Sequence, residues 1–140
     1  MKKPVILSIC GRQYAPEQEP EVIELVTEGT MEFVNGGWDI CYEESELTGL
    51  SGTTTTFRLE PGQVILRRTG NLRSEMIFRE GERHDSLYQM EFGALMLSVF
   101  AKQIEANIHE QGGTIDLVYS IAIEQGDAGL VEYHLDIRAK

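Results

Sequence analysis

The chain is short of cysteine, proline and positive charge, and each shortage narrows what it can be. Two cysteines occur in 140 residues, Cys10 and Cys41, each isolated inside a strand-like run. Without a CxxC pair there is no signature of a zinc ribbon or a dithiol redox centre, and two scattered thiols fit reduced, buried small hydrophobes in a cytoplasmic protein. Four prolines leave long stretches free of the residue that interrupts sheet ladders. Long apolar runs are missing as well: nothing approaches the roughly 18 residues of a membrane-spanning helix. The N-terminal VILSIC, after Lys2 and Lys3, meets Gly11 and Arg12 too soon for a secretory leader and reads as a first strand. Basic residues number 12 against 23 acidic ones, for a net charge of −11. Such a surface repels phosphodiester backbones and anionic lipid, so neither nucleic acid nor membrane is an expected partner.

What is present is alternation. Hydrophobic residues make up 41% and charged residues 25%, enough for one core in a single domain spanning residues 1–140. From Glu21 the chain reads EVIELVTEGTMEFV, with Ile23, Leu25, Thr27, Gly29, Met31 and Phe33 on one face and glutamates on the other. Gly29 marks a place where so long a strand can bend or bulge. Asn35-Gly36-Gly37 supplies a hairpin turn, after which Trp38, Ile40, Tyr42 and Glu44 share a face. Breaks at Gly49 and Gly52 precede a threonine-rich strand from Thr53 to Leu59. Turns at Glu60-Pro61-Gly62, Gly70-Asn71 and Glu80-Gly81-Glu82 then separate strands over 63–69, 73–78 and one ending near Tyr88. Ile115 to Ile123 and Val131 to Ile137 alternate on either side of Gly126-Asp127-Ala128-Gly129, a final hairpin. Phe92 to Gln111 fits two strand segments with a bulge near Lys102, and also fits a helical stripe through Leu97, Phe100, Ile104 and Ile108. The strand reading agrees with the rest of the chain. Eight to ten antiparallel strands joined by short turns must hide their edges, which an all-β meander barrel does by closing, with a two-sheet sandwich as the alternative.

Two charges fall on the apolar parity. Glu44 follows Trp38, Ile40 and Tyr42, and Arg68 follows Val64 and Leu66. An ionised group facing a core must find an opposite charge or hold a ligand. Either Glu44 and Arg68 pair and tie two strands into register, or Arg68 receives the carboxylate or phosphate of a small ligand, assisted by Tyr88, Tyr119 or Tyr133. Thr53 to Thr56 favour a strand and offer hydroxyls to both faces. Other motifs carry less. His84-Asp85-Ser86 lacks a nucleophile elbow, and Asp85 lies on the opposite face from the other two. His84, His109 and His134 are widely spaced, Glu43, Glu44 and Glu46 lack the framework of a calcium loop, and no glycine pattern suits a dinucleotide. No metal or cofactor is expected.

At YEESELTG, TTTTFRL, Arg68-Thr69-Gly70, Met76 to Gly81, and the terminal LVYSI and YHLDI strands, the chain resembles the YwiB-like bacterial proteins. The resemblance extends from the first strand to Lys140 and departs from the family pattern around Tyr88 to Gly93, where a threonine is expected near Met90. It implies a calycin-like (lipocalin-like) barrel in the bacterial cytoplasm and no established activity. A small-molecule binder holding an anionic or amphipathic ligand is the leading expectation. A filled barrel acting as an acidic interaction module, or an enzyme using Glu44 as general acid or base at the barrel mouth, are the others.

Overall fold

The computed structural model describes residues 2–15, 17–46, 50–124 and 126–140. Ten strands follow one another: β1 (Lys3–Tyr14), β2 (Glu21–Val34), β3 (Gly37–Glu43), β4 (Thr53–Glu60), β5 (Gln63–Gly70), β6 (Ser74–Phe78), β7 (Arg83–Met90), β8 (Gly93–His109), β9 (Gly112–Ile123) and β10 (Gly126–Ala139). They form a single antiparallel sheet in the order β6-β5-β4-β3-β2-β1-β10-β9-β8-β7. Every neighbouring pair is consecutive in sequence except β1 with β10, which zip together from Val5↔Ala139 to Tyr14↔Leu130. The two edge strands of this order, β6 and β7, approach each other and bring the sheet to a nearly closed meander barrel. Their seam is thinly bonded. Arg73 and Gln89 exchange backbone hydrogen bonds of 2.9 and 2.8 Å, the Gly81 amide reaches Ala101 O at 2.9 Å, and the Ile77 amide donates to Nδ1 of His84 at 3.3 Å.

Inward positions follow the expected parity through the middle of the barrel. Val5, Leu7, Met31, Ile40, Phe57, Leu66, Phe78, Val99, Leu117 and Leu135 are all buried and make one core. At the strand ends parity stops meaning burial. Ile23 and Phe33, assigned to the inner face, are 50% and 58% exposed because they lie at the ends of β2, the latter against Trp38 at a ring distance of 5.1 Å. The helical alternative for 92–111 is excluded: β8 is one continuous strand, and its pairing with β9 slips by one residue between Ala101 and Gln103. That extra residue, Lys102, moves the inner face from Leu97, Val99 and Ala101 to Ile104 and Ile108.

Three local expectations change. Gly29 carries no bulge; pairing with β1 passes straight through it, and its role is close approach, since a Cβ there would sit 2.5 Å from Cys41 O. The final hairpin turns earlier than expected. Glu124, at φ 51°, precedes the start of β10 at Gly126, and the glycine-rich segment forms a bulge between Asp127 and Gly129 instead of the turn. The expected break at Gly49 lies outside the described residues. Cys10 and Cys41 are free and half-buried on outward positions rather than in the core. Their registers on the intervening β2, Cys10↔Glu24 and Thr30↔Cys41, are six residues apart, roughly 20 Å, so they do not meet.

Candidate functional site

Alternate residues of neighbouring strands line up across the sheet, so register builds the site level by level. One level runs Tyr42↔Thr55 across β3 and β4, Thr55↔Arg68 across β4 and β5, and Arg68↔Ser74 across β5 and β6. The level below is apolar, with Ile40↔Phe57 and Phe57↔Leu66 packed in the core. The barrel is therefore filled in its lower part and opens above it. A cavity of about 280 Å³ occupies the end that holds the β1–β2 and β3–β4 connections, lined among others by Tyr42, Glu44, Arg68, Tyr88, Tyr119 and Tyr133. All five residues singled out in the sequence reach this one cavity. At the opposite end, an open groove of about 640 Å³ beside Phe33 and Trp38 contains no buried unpaired polar atom among the described residues.

Glu44 is the more deeply placed of the two charges. Its side chain is 1% exposed and that of Arg68 16%. The Thr55 hydroxyl donates to Glu44 Oε2 at 2.5 Å, and the Glu44 amide donates to Thr53 O at 2.8 Å, so the carboxylate is held by its neighbouring strand. Arg68 Nε lies 4.0 Å from the same Oε2. That separation is a charge contact but is too long for a hydrogen bond. Nε is buried and has no hydrogen-bond partner among the described residues, and the hydroxyls of Thr53, Ser74 and Ser86 on β4, β6 and β7 are in the same condition. All four can donate. Of the four only Arg68 lines the cavity, where its Nε matches a group that offers an acceptor oxygen.

The opposite wall is aromatic. Tyr119 packs on Phe78 at a centroid distance of 4.6 Å, and Tyr133 on Phe57 at 5.5 Å, so the core fixes both rings. Burial pushes the Tyr119 hydroxyl up to about 12. Burial likewise raises Tyr42 and Tyr133, and the hydrogen bond between them strengthens the hold of Tyr42 on its proton. The three phenols are neutral donors and acceptors in the neutral pH range. Thr55 belongs to the threonine run that offers hydroxyls to both faces, whereas Tyr42 and Ser74 are not among the site residues the sequence points to; Tyr42 shares the face of Glu44, and that shared parity is the available signal.

The remaining motifs separate on the barrel wall. His84 faces inward at the seam, whereas Asp85 points outward to Arg83 (2.9 Å) and the Ser98 hydroxyl (2.7 Å), so the two do not act together. Glu43 points outward and accepts from Thr54, opposite in direction to Glu44. His134 pairs with Asp116 at 2.5 Å on the outer surface. Arg58, between the buried Phe57 and Leu59, is itself buried and clamps the β2–β3 turn. It donates to Val34 O at 2.8 Å and Asn35 O at 3.0 Å, and pairs with Asp39 and Glu60.

Residues 7–137 match the profile of a family described as a domain of unknown function, DUF1934. Over 82 residues the chain is 28% identical to the uncharacterized beta-barrel protein YwiB of Bacillus subtilis (strain 168), a match covering 59% of this chain and 56% of that protein. By sequence the match thus spans little more than half the length of that relative. The crystal structure of the ywiB protein from Bacillus subtilis superposes with a TM-score of 0.88 at 22% identity, covering 99% of this chain and 93% of that one. This likeness establishes the shared barrel fold that the sequence motifs implied, and no activity. With its profile matched across nearly the whole barrel, the chain belongs to the DUF1934 family, a family of unknown function.

Proposed function

We propose that this protein is a calycin-type small-molecule carrier or sensor whose barrel holds a compact amphipathic ligand, with the ligand's acceptor group at Arg68 and its apolar part against the tyrosines. The observation that carries this reading is the buried Arg68 Nε, unmatched by an acceptor and placed on the wall of a 280 Å³ cavity. A buried donor left without an acceptor costs about 1–3 kcal/mol, more when it is charged, and a ligand oxygen removes that cost. The volume lies near the lower end of the roughly 300–1,000 Å³ usual for ligand pockets, which suits a small acid or amide. Glu44 serves this reading as a neighbour of the bound group: its side chain is 1% exposed and engaged by the Thr55 hydroxyl.

Native mass spectrometry of protein purified from its bacterial host tests the proposal. The expected spectrum shows one small molecule per chain, lost in Arg68→Met. Added back to stripped protein at a hundred times its Kd, that molecule stabilises the fold by about 2.7 kcal/mol. A wild-type spectrum of bare protein, unmoved by any added acid or amide, sinks it.

A further inference from the structure

We infer that a carboxylate ligand enters the barrel together with one proton, held between its own carboxylate and that of Glu44, so that binding is coupled to proton uptake. This rests on the binding role proposed above and adds a charge rule to it. The argument begins with what faces the cavity from each strand. β3 contributes Tyr42, Glu44 follows directly after its end, β5 contributes Arg68, and Tyr88, Tyr119 and Tyr133 come from β7, β9 and β10, while Arg12 of β1 and Glu21 of β2 stand exposed at the rim. β4 faces Glu44 with the Thr55 hydroxyl, and β6 and β8 line the cavity with Met76 and Leu97. Burial keeps Tyr42, Tyr119 and Tyr133 protonated, so they add no charge. Among the described residues the interior therefore holds one carboxylate and one guanidinium, 4.0 Å apart.

An incoming carboxylate makes two anions for one cation, away from water. Two carboxylates sharing a low-dielectric site do not both ionise; one takes a proton from solvent, which then bridges them as an O–H···O bond while Arg68 Nε donates to the ligand. Arg68 cannot adjust instead, because a guanidinium keeps its proton. A neutral primary amide obeys a different rule. Its carbonyl accepts from Arg68 Nε, its N–H donates to Glu44, and no proton is needed. Since the carboxylate complex holds one proton more than its separated components, affinity rises as pH falls. The expected slope is close to tenfold per pH unit wherever both free carboxylates are ionised.

Calorimetric titration of the full chain with hexanoate and with hexanamide, between pH 6 and pH 8, tests this. Buffers of different ionisation heat report the proton count directly. The expected result is about one proton taken up per hexanoate and a hundredfold loss of hexanoate affinity across that range, with hexanamide indifferent to pH. Glu44→Gln, which preserves the Thr55 contact, is expected to bind hexanoate without proton uptake; the wild-type slope stands as a test even if that variant folds poorly. Hexanoate binding that is independent of pH overturns the coupling and leaves the binding role standing. If neither probe binds, and neither competes with the host-derived ligand, the acceptor site at Arg68 falls and the coupling falls with it.

Discussion

At the residue scale, three tyrosines sit where a phenolate is expensive. A tyrosine ionises near 10 in an unfolded chain, and burial holds Tyr119 up to about 12, with Tyr42 and Tyr133 raised in the same direction. A raised folded value means that the stabilisation is complete below pH 10 and is lost as pH climbs through the folded value. Alkaline titration is therefore expected to show phenolate absorbance from these three appearing together with loss of the β-sheet circular dichroism, between pH 10 and 12 or above. Tyr119→Phe should shift that transition upward. Separate phases, with phenolate forming while the sheet persists, would place the rings in water. The same paritywise logic made this site legible. Glu44, Arg68, Tyr119 and Tyr133 are recognisable because each occupies the inward phase of an apolar alternation. The donors left unpaired on Thr53, Ser74 and Ser86 are not recognisable that way, since hydrogen-bond satisfaction depends on neighbours brought in by pairing.

At the element scale, the strands hold two irregularities of different legibility. The Lys102 bulge shows in sequence because the apolar phase itself changes, from Leu97 and Val99 to Ile104 and Ile108. The β9–β10 connection does not, because Gly126 to Gly129 supplies good turn residues that the fold uses for a bulge beside a shorter turn. The clamp of Arg58 on the β2–β3 turn is equally hidden, since the turn carbonyls it reaches, those of Val34 and Asn35, lie 24 and 23 positions away in sequence. At Gly29 there is no bulge but a close approach of strands. The backbone of β3 approaches so closely there that an added Cβ would meet Cys41 O at 2.5 Å and Leu7 Cδ1 at 2.9 Å. Gly29→Val is expected to destabilise the fold by roughly 3 kcal/mol through overpacking against backbone. Urea unfolding measures it, and a loss below about 1 kcal/mol would show that the strands part at that crossing without strain.

At the scale of the whole molecule, the pairing of β1 with β10 places the two ends of the chain side by side in the middle of the sheet, with the Lys140 amide 3.2 Å from Pro4 O. The weakly stitched seam lies instead between β6 and β7, which are neighbours in sequence. Folding must therefore bring residues from opposite ends of the chain together before the sheet is continuous, a closure that slows two-state folding. A circular permutant that joins Lys140 to Lys2 through a short linker and opens the backbone within 79–82 would convert every remaining ladder into a local hairpin. Stopped-flow refolding of that permutant is expected to run faster than that of the natural order, with the same ten strands at the end. Equal rates would mean that the longest-range ladder forms after the rate-limiting step, and that the barrel is rolled up from its hairpins before its first and last strands ever touch.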